Sequence, residues 1–92
     1  MESAAAMSLV EFRKKIDALD EQLLLLLAQR LEICQKLADY KHENNLSIQD
    51  RDREQEVIKD RIKMFKELGF EDQKFVQGLF ELIIKKSREV QQ

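Results

Sequence analysis

Residues Leu9 to Tyr40 read LVEFRKKIDALDEQLLLLLAQRLEICQKLADY, and their apolar members recur every seven residues. Leu9, Ile16, Leu23 and Leu37 fall on one seam position, and Phe12, Leu19, Leu26, Ile33 and Tyr40 on the other. That is the pattern of a helix lying along a partner helix. Counting by sevens from Leu9 lands once on a cation, Arg30, which sets a guanidinium in an otherwise apolar stripe. The pattern runs to about Glu43 and stops at Asn44-Asn45, which reads as a C-terminal cap and turn.

Two shorter helices are expected downstream. Asp50 suits an N-cap or first-turn position, and Val57, Ile58, Ile62, Phe65 and Leu68 form an apolar face that Gly69 ends. Asp72 can cap a third helix whose face is Phe75, Val76, Leu79, Phe80, Ile83 and Ile84, fading into Ser87, Arg88 and Gln91. Gly78 lies inside it, and close helix packing is the account it invites. The fold class is therefore all-α, one long helix and two shorter ones. At about 1.5 Å per residue the first spans roughly 50 to 55 Å and the others roughly 27 to 30 Å. A globule of this chain length is only about 30 Å across. The long helix must overhang a single chain, and a two-fold homodimer with the long helices side by side is the economical way to cover its seam.

Composition agrees with this outline and removes several classes of function. The chain has 92 residues, no proline and two glycines, so little turn chemistry is available. A domain of this size buries only about 60% of the surface its unfolded chain exposes, which makes partners expected. Sixteen Lys and Arg against eighteen Asp and Glu leave a net charge of −2, against a nucleic-acid or anionic-membrane binder that needs a basic excess. One cysteine, Cys34, and one histidine, His42, assemble neither an intrachain disulfide nor a Cys/His metal site. No apolar run approaches a membrane span and no secretory leader is legible, so a cytoplasmic protein is expected. Residues 1–8 are expected to be a disordered extension ahead of one domain over 9–92.

Polar groups interrupt each apolar face in one zone. Arg30 and Lys41 are eleven residues apart, about 20° off three full turns, and project from nearly one face some 16 Å apart along the axis. Asp50, Arg53, Glu54 and Val57 share a face through spacings of three and four. Ser87 and Gln91 continue the face of Ile84 with neutral hydrogen-bonding groups. Cations with neutral donors and one or two carboxylates suit a small, multiply anionic ligand. No Ser/His/acid set, thiolate–imidazole pair or glycine-rich phosphate loop is present, so an enzyme of this kind would need neither nucleophile nor cofactor. Plainer readings stand beside each feature. Arg30 can be a register device paired with Glu32 or Asp39 of a neighbouring helix, Asp50 to Glu54 a solvated first turn, and Ser87 and Gln91 a polar helix end. Cys34 then packs and His42 sits at the surface.

Taken together, the residues resemble the all-α chorismate mutases from about Leu9 to Gln91. The segments that carry the likeness are Arg13-Lys14-Lys15-Ile16-Asp17-Ala18-Leu19-Asp20, Leu26-Leu27-Ala28-Gln29-Arg30, Lys41, Asp50-Arg51-Asp52-Arg53-Glu54, and Leu79-Phe80-Glu81-Leu82-Ile83-Ile84 through Ser87 to Gln91. The resemblance implies an intertwined dimer of three-helix chains with two equivalent sites and no cofactor. It implies that Arg30 and Arg53 bind substrate carboxylates with help from Ser87, and that Arg13 reaches into the other subunit's site. Lys41 and Gln91 would hydrogen-bond the ether oxygen of the breaking bond, and Glu54, with Asp50 nearby, would hold the ring hydroxyl. Gln91, rather than Glu, matches the bacterial bifunctional branch. Arg88 departs from the pattern, a long cation where an aliphatic residue often stands beside the pocket.

The reaction implied is the Claisen rearrangement of chorismate to prephenate, with no nucleic acid or membrane as partner. Two other readings remain: an isochorismate–pyruvate lyase using a similar site, and a non-catalytic helical dimerisation module in which Arg30 is an internal ion pair.

Overall fold

A computed structural model of the chain describes residues 7–92, and those residues form α1 (Leu9–Glu43), α2 (Arg51–Glu67) and α3 (Gln73–Glu89), with no strand among them. The all-α class and the order of one long and two shorter helices are as expected. The anticipated extension falls mostly on residues 1–6, outside the described residues. Its last member, Ser8, opens α1 through a reciprocal capping box. The Ser8 hydroxyl accepts from the Glu11 backbone N–H at 3.2 Å, and the Ser8 N–H donates to Glu11 Oε2 at 3.2 Å. The Ser-x-x-Glu signature for this motif was present in the sequence.

Local chemistry explains where each helix stops and the next begins. At the end of α1 the Leu46 N–H donates to Lys41 O at 2.7 Å and the Asn45 N–H to His42 O at 3.3 Å. Asn45 sits between them at φ 55°, the left-handed residue of a Schellman turn. The motif repeats at the end of α2. There the Phe70 N–H donates to Phe65 O at 3.1 Å, the Gly69 N–H donates to Lys66 O at 2.9 Å, and Gly69 has φ 97°. The rings of Phe65 and Phe70 stack with centroids 5.2 Å apart, the apolar contact that accompanies this turn. Asp50 and Asp72 cap α2 and α3, their carboxylates accepting from the N–H of Arg53 at 3.0 Å and of Phe75 at 3.2 Å.

The chain divides into two compact units, one ending at Arg30 and the other running from Leu31 to Gln92. In the first, the seam residues Leu9, Phe12, Ile16, Leu19, Leu23 and Leu26 are all exposed. In the second, α2 and α3 pack on each other. Val57, Val76 and Ile84 are buried there, along with the polar Ser87. The last turns of α1 half-bury Leu31, Cys34, Ala38 and Lys41, spaced by three and four, while the seam residues Ile33, Leu37 and Tyr40 stay exposed. α1 as a whole buries none of its 35 residues. No helix among the described residues is long and apolar enough to cross a membrane.

Gly78 corrects one expectation. A Cβ built there meets nothing within 4 Å, so close helix packing within the described chain is not what places a glycine in α3. Gly69 also has open space around it, but its positive φ disfavours any side chain. The two glycines should therefore respond oppositely to alanine. Gly78→Ala is expected to raise stability by about 0.5 to 1 kcal/mol through helix propensity, and Gly69→Ala to lower it by about 1 to 2 kcal/mol. Thermal or urea melts of the two variants check this.

Candidate functional site

Of the residues singled out in the sequence, Lys41 and Asp50 lie where α1 ends and α2 begins, Arg53 and Glu54 in the first turn of α2, and Ser87 and Gln91 at the end of α3, while Arg13 and Arg30 fall in the first half of the chain. Lys41 is in the last turn of α1, half-buried, and its Nζ donates to the Ile48 carbonyl at 2.8 Å. That bond ties the ammonium to the α1–α2 connection, so the loop that sets the start of α2 also fixes the cation. Lys41 and Asp50 line one open cleft of about 380 Å³, with Leu46, Ser47, Gln49 and Arg51. Asp50 is committed to its role as N-cap, one carboxylate oxygen bonded to the Arg53 N–H.

Arg53 and Glu54, adjacent in sequence, face different ways, as helical residues 100° apart must. The Arg53 guanidinium turns outward to Glu56, Nη1 to Oε1 at 3.1 Å, with both side chains mostly exposed. An exposed i,i+3 pair of this kind contributes little and is readily given up. Glu54 turns inward. Its Oε1 accepts from Arg88 Nη1 at 2.6 Å, across from α2 to α3, in a pair whose side chains are 21% and 30% exposed respectively.

Ser87, Arg88 and Gln91 occupy a single turn at the end of α3. Ser87 is buried and its hydroxyl donates to the Ile83 carbonyl one turn back at 2.8 Å. Gln91 Nε2 donates to the Ser87 carbonyl at 2.9 Å, which fixes which end of the amide is nitrogen. The other end, Gln91 Oε1, is buried with no hydrogen-bond partner among the described residues. A buried amide oxygen left unbonded costs about 1 to 3 kcal/mol, so a donor brought to it would be favourable.

Thus the second unit brings together Lys41 with Asp50 and, at the α2–α3 contact, Glu54 with the turn that carries Ser87 and Gln91; Arg53 lies on its surface. Arg13 and Arg30 belong to the first unit, Arg13 exposed and Arg30 half-buried with a partner of its own. Sequence reading overlooked the Ile48 carbonyl as the partner of Lys41, since a backbone acceptor in a loop leaves no residue-type signal. It noted Arg88 as unusual without finding its partner, which lies 34 residues away.

These groups are carried by an all-α chain, three helices among the described residues. Residues 12–92 match the family described as chorismate mutase type II, and the chain belongs to that family. It is 37% identical over 84 residues to the bifunctional chorismate mutase/prephenate dehydratase of Escherichia coli, a match covering 91% of this chain and 22% of that protein. It is 33% identical over 83 residues to the chorismate mutase of Methanocaldococcus jannaschii, covering 90% of this chain and 83% of the other. The chain spans about a fifth of the length of the bifunctional relatives it matches. Among solved structures it is similar to a conserved hypothetical protein from Pyrococcus furiosus, with a TM-score of 0.73 and 37% identity, covering 99% of this chain and all of that one.

Proposed function

We propose that the protein is an isomerase that converts chorismate to prephenate, the step toward phenylalanine and tyrosine. The observation that carries this reading is that a chain of the chorismate mutase type II family keeps both neutral-pH donors, Lys41 and Gln91, each anchored on a backbone carbonyl. The rearrangement is unimolecular and pericyclic. It asks for no nucleophile and no proton transfer, so the site has two tasks.

The first is to hold the substrate compactly, its reacting carbons close. Arg30 and Arg53 are assigned to the two carboxylates, with Ser87 assisting, and Glu54 with Asp50 to the ring hydroxyl. For Arg53 this requires release of the exposed Glu56 pair and a turn of the side chain toward the ligand. Fixing both carboxylates and the hydroxyl removes rotational freedom before the bond breaks, which is the proximity contribution to rate. The second task is to stabilise charge on the ether oxygen as the C–O bond stretches. Lys41 spends one of its three N–H donors on Ile48, and Gln91 spends one of two on Ser87, leaving each a further donor for that oxygen. Because these donors are held in place beforehand, little reorganisation accompanies the reaction.

The active form is a homodimer in which Arg13 completes the partner's site. The exposed seam of α1 supports this, since Leu9, Phe12, Ile16, Leu19, Leu23 and Leu26 form an apolar stripe of the kind a partner helix covers. We place the protein in the cytoplasm and the domain over 9–92.

Chorismate consumption followed by ultraviolet absorbance, with isochorismate run in parallel, tests the assignment. Prephenate from chorismate is expected; pyruvate from isochorismate alone would transfer the chemistry to a lyase, and no turnover by a folded dimer would reject it. Lys41→Ala is expected to lower kcat by about a hundred- to a thousandfold with the dimer intact. Gln91→Glu is expected to move the activity optimum toward acid, because a carboxyl group donates to the ether oxygen only when protonated and protonation is gained as pH falls. A pH–rate profile reads this directly. Mixing Arg13→Ala with Lys41→Ala chains and allowing exchange should restore activity to about a quarter of all sites, because half the dimers are mixed and each has one intact site. No recovery on mixing would place Arg13 in its own chain's site or in none.

A further inference from the structure

The Arg88 guanidinium is used by none of the steps above, yet it reaches across from α3 to the one carboxylate assigned to the ligand's hydroxyl. We infer that Arg88 is a positioning residue that holds Glu54 ready to accept the ring hydroxyl, and so sets the site's preference for a hydroxylated ring; this rests on the chorismate reading of the site. Three observations carry it.

The contact is end-on. Arg88 Nη1 meets Glu54 Oε1 at 2.6 Å, the short distance of a charge-assisted bond. One carboxylate oxygen is occupied and the other is left to accept. A bidentate fork would have consumed both. Second, the nearby charges do not compete. Asp50 is bonded to the Arg53 N–H and Arg53 is turned to Glu56, so the hold on Glu54 is Arg88's. Third, the pair is half-buried, 30% exposed on Arg88 and 21% on Glu54, so its attraction is screened less than that of the surface pairs.

The electrostatics give Arg88 a purpose. A ligand with two carboxylates is repelled by an unpaired glutamate. Glu54 can serve a hydroxyl in such a ligand at lower cost if a fixed cation offsets its charge. Arg88 also sits on the turn that carries Ser87 and Gln91, so the bond sets the distance between Glu54 on α2 and the amide on α3.

The test compares binding of an oxabicyclic dicarboxylic acid that mimics the transition state with binding of the same compound lacking its ring hydroxyl, by calorimetry. The dimeric wild type, Arg88→Met and Arg88→Lys are compared, with thermal melts alongside. The wild type is expected to prefer the hydroxylated compound by about tenfold or more. Arg88→Met is expected to lose most of that preference while remaining folded, and Arg88→Lys to regain part of it. A folded Arg88→Met that keeps the full preference overturns the inference and leaves Arg88 a tie between helices. Should that variant fail to fold, Arg88→Gln, a neutral donor, replaces it with the same expected loss and the same overturning result. Wild type that binds both compounds equally also overturns it. Wild type that binds neither overturns the reading of the site itself, a distinct failure.

Discussion

The long helix carries an apolar seam that stays exposed among the described residues. Among the described residues the buried apolar side chains are Val57, Val76 and Ile84, all from α2 and α3, and α1 buries none. Leaving Leu9, Ile16, Leu19, Leu23 and Leu26 in water forfeits the burial that ordinarily offsets the entropy of ordering a long helix. The run Leu23 to Leu27 makes this stretch of the helix apolar on several sides, which suits a covered surface. The proposed dimer answers that constraint.

Outside the seam, order is supplied by caps and turns. Asp50, Asp72, Asn45 and Gly69 each act within four to six residues, through a side chain on a nearby N–H or a left-handed backbone on a nearby carbonyl. Such chemistry is legible in a sequence because its partners are neighbours in it, and the helix count and turn positions were read on that basis. Ser8 with Glu11 was equally local and was passed over in favour of a tail. Gly78 meets no neighbour within the described chain, and what surrounds a helical glycine is a matter of tertiary contact that spacing does not report.

The site divides along the same line. The helical faces that carry Lys41, Glu54, Ser87 and Gln91 follow from residue spacing, and the family resemblance supplied their roles. What spacing withheld is which atom each side chain meets: Ile48 for Lys41, Glu56 for Arg53, and Arg88 for Glu54. The first is a backbone atom, the second one of several neighbouring charges, and the third a residue on another helix. The unbonded Gln91 oxygen is of the same kind, visible only once the amide's other end is placed.

The way the turns close bears on how the chain reaches this state. No proline is present, so no slow X–Pro isomerisation can delay it. Helices joined by short, self-capping turns form through local contacts, on the microsecond to millisecond scale of small helical folds. In the proposed dimer the slow event in assembly would be one chain finding another, so that refolding would accelerate with protein concentration and dilution would loosen the fold.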